Sequence, residues 1–185
     1  MVPTIDQYIA TCIRALGEVV LPAIDKSDSM ALEQTQLVIG LLTLMAEQWD
    51  KTLLLEMAEL RSHLQLGQAL EAAAAGGAAT RAALEASRRA TAGFAPLASI
   101  DIPTQTELRA ANVALRTAIT ELLAAARSDG AAEFRSRATA LVIAHAAGQN
   151  RLARSWFAKS HLDADWSRLP PVAELLTRAA QPGSG

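Results

Sequence analysis

Apolar residues return at three- and four-residue steps along most of this 185-residue chain. That is the period of an α-helix with one buried stripe. The composition agrees: 40 residues are alanine and only 4% are aromatic. Aromatic and β-branched residues are too few to supply the strands of a β-sandwich. The sequence predicts an all-α protein, an up-and-down bundle of four main helices plus one or two short ones. Residues 1–180 are read as one domain and residues 181–185 as a disordered tail.

Ile5, Tyr8, Ile9, Cys12, Ile13, Leu16, Val19 and Val20 form the stripe of a first helix over residues 4–21, which Pro22 ends. Asp28 or Ser29 caps a second, long helix over residues 29–72. Between Leu37 and Met45 this helix is apolar nearly all round, which predicts a central position touched from several sides. The pair Gly76–Gly77 costs about 2 kcal/mol of helix propensity relative to alanine and marks a break. Residues 78–92 read as a helix whose face is alanine plus Leu84, either packed close to a neighbour or a mobile arm used in assembly, and residues 93–103 form a loop. Thr104 or Thr106 starts a helix to Arg127, with Ser128, Asp129 and Gly130 as its turn. From Ala131 another stripe runs through Phe134, Ala138, Leu141, His145, Leu152 and Trp156, with a possible kink at Gly148 and Asn150. A short final helix covers Val172–Ala179.

Charge is uneven. Residues 1–80 carry 10 acids and 4 bases, net −6, whereas residues 81–185 carry 9 acids and 13 bases, net +4. Fourteen of the seventeen bases are arginine, but they are scattered, and a pI near 5.9 argues against nucleic acid as a partner. The simpler reading is two halves of complementary potential, within the fold or across a dimer; the sharper one is an anionic ligand held by the C-terminal half. The single cysteine excludes an internal disulfide and any CxxC site. Asp6 and Arg14 interrupt the first apolar stretch, so no signal peptide is read. The Leu37–Met45 window falls short of the roughly 20 residues a bilayer requires. A cytoplasmic location and no membrane partner are therefore expected.

Chemistry-bearing residues gather in the second half of the long helix. At about 100° per residue, Glu56, Glu59 and His63 share a sector roughly 60° wide, beside the buried stripe. Asn112 and His145 sit inside apolar stripes on two later helices. A bundle that turns these stripes inward brings carboxylate, amide and imidazole together. Such a group suits acid–base work or a divalent metal, and it equally suits a buried hydrogen-bond network. A dinuclear carboxylate centre requires Glu-x-x-His on two helices. Here Glu59 precedes His63 by four residues, and Val142 stands three before His145, so no metal is expected. No cofactor is legible. Phosphate loops, a nucleophile elbow and an HExxH pair are all absent.

Cys12 reads as a small core residue. His161 with Asp163 and Asp165 reads as loop polarity, with a metal clip as the remoter use. Near the C-terminus Trp156, Phe157 and Trp166 gather beside Arg151, Arg154 and Arg168. They serve either to seal one end of the bundle or as an aromatic wall for a flat or acyl ligand, flanked by those arginines. Two functions follow. The first is an interaction protein that self-associates, a dimer first, or serves an enzyme as accessory subunit. The alternative is a ligand-binding or enzymatic bundle with an internal polar site at Glu56, Glu59, His63, Asn112 and His145.

Overall fold

The computed structural model describes residues 2–99, 103–160 and 163–180. The fold is all-α: α1 Ile5–Ala15, α2 Leu21–Ala23, α3 Ser29–Gln48, α4 Thr52–Ala73, α5 Ala78–Phe94, α6 Gln105–Asp129, α7 Ala132–Trp156 and α8 Val172–Ala180. Contacts group these into two compact units, Met1–Thr52 with Arg154–Leu169 and Leu53–Ala153 with Pro170–Gly185.

In the first unit, Thr4 and Gln7 cap α1 reciprocally. Pro22 does not end this helix. The chain widens into a π-turn over Leu16–Val20, where the N–H of Leu21 reaches back five residues to Leu16. The wider turn relieves the proline ring of its clash with the preceding carbonyls. The helix ends two residues later, at Ile24, where the backbone becomes extended. Asp28 caps α3 through the N–H of Ala31 at 3.0 Å. The predicted long helix is interrupted by a 3-10 turn at Trp49–Lys51. Trp49 Nε1 donates to Asp6 Oδ1 at 2.6 Å, and α1 packs on α3.

The predicted burial fails here. Of the α1 stripe only Ile9 is buried; Ile5, Tyr8, Val19 and Val20 are exposed, and so is Cys12, which is no core residue. Leu37, Val38, Leu41 and Met45, expected at the centre, are 42–55% exposed. Hydropathy specified the helix but not a neighbour to cover it.

The second unit carries the core. Leu66 and Leu70 of α4 meet Ile119, Leu122 and Ala126 of α6 and Phe134 and Ala138 of α7, with Ala83 and Leu84 of α5 alongside. A second cluster holds Leu60, Leu64, Leu108, Ala111 and Leu115. The alanine-rich segment is thus a full member, α5. Its buried positions are hydroxyls, Thr80, Ser87 and Thr91. Glu71 of α4 accepts from Ser87 and Thr91 at 3.1 and 2.7 Å.

The α4–α5 and α6–α7 links lie side by side. Gly76 pairs with Gly130, Gly77 N–H donates to Asp129 O at 2.9 Å, and Ala131 N–H donates to Ala75 O at 2.8 Å. Glycine is needed there, because a Cβ on Gly76 would lie 2.8 Å from Gly130 Cα. The Asp129 carboxylate caps α5 across this junction. It accepts from the N–H groups of Ala79 and Thr80 and from the Thr80 hydroxyl, which hold its pKa below the usual range. Thr104 starts α6 with a capping box to Glu107. α7 passes Gly148 and Asn150 without interruption. The 181–185 tail and His161 lie outside the described residues.

Candidate functional site

Three and four residues apart on α4, Glu56, Glu59 and His63 share one face, which α6 covers. The side chain of Glu56 is only 12% exposed and forms an ion pair with Arg109, Nε to Oε1 at 2.7 Å. Asn112, one helical turn beyond Arg109, donates its amide N–H to Glu56 O at 3.0 Å and to Oε2 at 3.2 Å. With the amide nitrogen so engaged, Asn112 Oδ1 is the acceptor toward His63 Nδ1 at 2.9 Å. That assigns the proton of a neutral His63 to Nδ1 and leaves Nε2 as its lone-pair nitrogen.

From α7, His145 stands with its ring centre 5.4 Å from that of His63, tilted by 43°. Its Nδ1 lies 3.1 Å from Ser62 Oγ. Burial pushes the pKa of His63 down, the Asn112 bond opposes this, and the Arg116 cation adds to the lowering. For His145 burial is again the larger cause, followed by the charge of His63. Both imidazoles are therefore held toward the neutral form. Glu59 is raised by burial and by the charge of Glu56, against the pull of Arg116.

The structure thus brings Glu56, Asn112, His63 and His145 into one chain of side chains, with Glu59 beside them. Chemically the chain is largely satisfied within itself. Ser62 and His145 form a hydroxyl–imidazole pair, but no acidic side chain is a hydrogen-bond partner of that imidazole among the described residues. The same residues include no group of three His, Cys, Asp or Glu side chains placed to hold a metal ion.

Periodicity alone left out Arg109, Arg116 and Ser62. Arg109 was legible in principle, since it sits three residues before Asn112 and presents a cation to the face that Glu56 meets. Ser62 carries no such signal.

The C-terminal patch is differently built. Arg154 holds Asp163 with two hydrogen bonds of 2.6 and 3.0 Å and approaches Asp165 at 3.5 Å. The guanidinium beside Asp163 drives its pKa down to about 2. Arg168 also faces Asp165, at 3.7 Å. These carboxylates engage Arg154 and Arg168, two of the arginines that flank the aromatic wall in the alternative reading of this patch. Trp156 is half-buried and its carbonyl accepts from Gln48 Nε2 at 2.9 Å, whereas Phe157 and Trp166 are exposed. Arg151 belongs to the second unit. No protein-family model, curated protein or solved structure matches this chain.

Proposed function

We propose that this chain is a non-catalytic interaction protein that associates with a second copy of itself through α1 and α3, a dimer in the simplest case. One observation carries this reading: the first unit turns its large apolar side chains outward. Leu37, Leu41 and Met45 are more than half exposed, as are Tyr8 and Val19. Apolar surface concentrated in this way is the usual mark of an association site. Gly17 and Gly40 add room for a close helix approach, since a Cβ on either would meet nothing within 4 Å.

A bilayer is the competing occupant, because the helical stretch Ser29–Ala73 is long and apolar enough to cross one. The length without charge favours a protein partner. Between Glu33 and Glu47 only 13 residues are uncharged. They make about 20 Å of helix, against a hydrocarbon core of about 30 Å.

Size-exclusion chromatography with light scattering tests the reading, together with the double variant Leu41→Glu/Met45→Glu. A dimer that the variant converts to monomer supports it. A monomeric native chain at about 100 μM, well above the Kd of a stable dimer, overturns it. So does quantitative recovery of the native chain, but not of the variant, with phosphatidylcholine vesicles.

A further inference from the structure

Between α6 and α7 the second unit keeps an open groove of about 310 Å³. Ala126 and Ala138, each 3% exposed, form its floor, and Leu123, Val142 and Ile143 form its apolar walls. Alanine at both floor positions leaves the space that a larger pair would fill. Ile143 is 64% exposed, more than any other large apolar side chain of the second unit among the described residues. The apolar wall therefore meets water, and covering it is favourable.

The charge of the groove is confined to one end. Arg127 stands three residues before Gly130 in the α6–α7 link and Arg135 five after it, and both line the groove. No carboxylate lines it. Arg135 is anchored, its Nη1 donating to Gly130 O at 2.6 Å, so it adds positive charge and is not counted as a ligand contact. The Arg127 side chain differs: among the described residues it has no hydrogen bond and no ion pair. Its planar fork matches the two oxygens of a carboxylate. Ile143 lies eight residues beyond Arg135 on α7, about 12 Å along the helix. Thr139, also in the wall, satisfies its hydroxyl within α7 at 2.9 Å from Arg135 O, so it adds no unpaired polar group to the apolar stretch. An amphiphile fits this polarity, with an anionic end at the α6–α7 link and an alkyl chain running toward Ile143. By contrast, the broader depression of about 710 Å³ near Ala73 and Phe134 carries Glu133 as well as Arg137, and its charges offset one another.

We infer that the α6/α7 groove binds a medium-chain alkanoate, with its carboxylate on Arg127 and its chain against Leu123, Val142 and Ile143. The inference concerns the second unit alone, so its outcome is separate from that of self-association. Isothermal titration calorimetry with sodium hexanoate, octanoate and decanoate, kept below micelle formation, tests it. Saturable binding that tightens about two- to fourfold per added methylene supports the groove. Arg127→Gln, at an exposed position, then weakens decanoate about tenfold, the value of one charge-assisted contact. Decyltrimethylammonium, with the same chain and the opposite charge, binds more weakly than decanoate by at least about the same factor. The double variant Leu41→Glu/Met45→Glu, which alters the apolar face of the first unit, leaves decanoate binding unchanged. Absence of saturation by decanoate up to about 1 mM overturns the inference, as does equal binding of the cationic probe. So does decanoate binding that Arg127→Gln leaves intact or that the double variant abolishes. Circular dichroism confirms that each variant is folded, and substitution of an exposed arginine leaves the helices intact.

Discussion

The two units are made of the same kind of helix and arrange polar and apolar side chains in opposite ways. The second unit places Leu60, Leu70, Leu108 and Leu122 wholly out of water and still admits His63, Asn112, Thr80 and Ser87 to its interior. Those polar groups are tolerated because each finds a partner. The first unit has Ile9 as its buried hydrophobic residue among the described residues, and leaves the buried Ser155 hydroxyl without a hydrogen-bond partner. Its apolar side chains instead meet solvent. A core therefore depends on what faces a helix, and the apolar content of the helix does not decide it.

That contrast can be broken by a pair of truncations. Leu122→Ala should cost about 2–5 kcal/mol in urea denaturation, as expected for a fully enclosed leucine. Leu41→Ala, at a residue 53% exposed, should stay within about 0.5 kcal/mol at concentrations where the chain is monomeric. Equal losses would mean that the first unit has an interior of its own.

The next effect concerns the polar interior. Asn112→Ala strands the buried Nδ1–H of His63 and takes a donor from Glu56. A cost of about 1–3 kcal/mol follows, measured as a lower urea midpoint. A midpoint unchanged from the native chain would show that the chain of side chains is wet and self-sufficient without the amide.

The smallest effect is a pH dependence that differs between the units. His63 and His145 have folded pKa values below the ordinary 6.5. An unfolded chain binds protons more readily there, so the stability these groups contribute is present above pH 6.5 and is lost as pH falls from 6.5 toward the folded values. Asp163 in the first unit has its pKa lowered from 3.8 to about 2. Its contribution persists to lower pH and is lost only between those two values. Thermal unfolding followed from about pH 8 to about pH 5 should show the loss, and His63→Phe should flatten it. A native profile that is flat over that range would remove the assigned burial of the imidazoles.

Much of the second unit was legible as phase. Glu56, Glu59 and His63 fall in one sector because 3.6 residues make a turn, and Asn112 lies within an apolar stripe for the same reason. Thr104, Asp28 and the Gly76–Gly77 pair were legible from capping and backbone freedom. The Asp129 cap on α5 was not, because donor and acceptor are 49 and 50 residues apart. Nor was the hydroxyl face of α5, since Thr80, Ser87 and Thr91 are too polar for a hydropathy pattern to mark as buried.

Local chemistry, carried by the residues themselves, determined that this chain is helical, where its capped helices start, and which side chains share a face. Those properties depend on neighbours within one or two turns. Tertiary structure alone decided which faces are covered: it closed α6 over His63 and left Leu41 in the open. Burial is a property of two surfaces meeting, and a pattern along one helix describes only one of them.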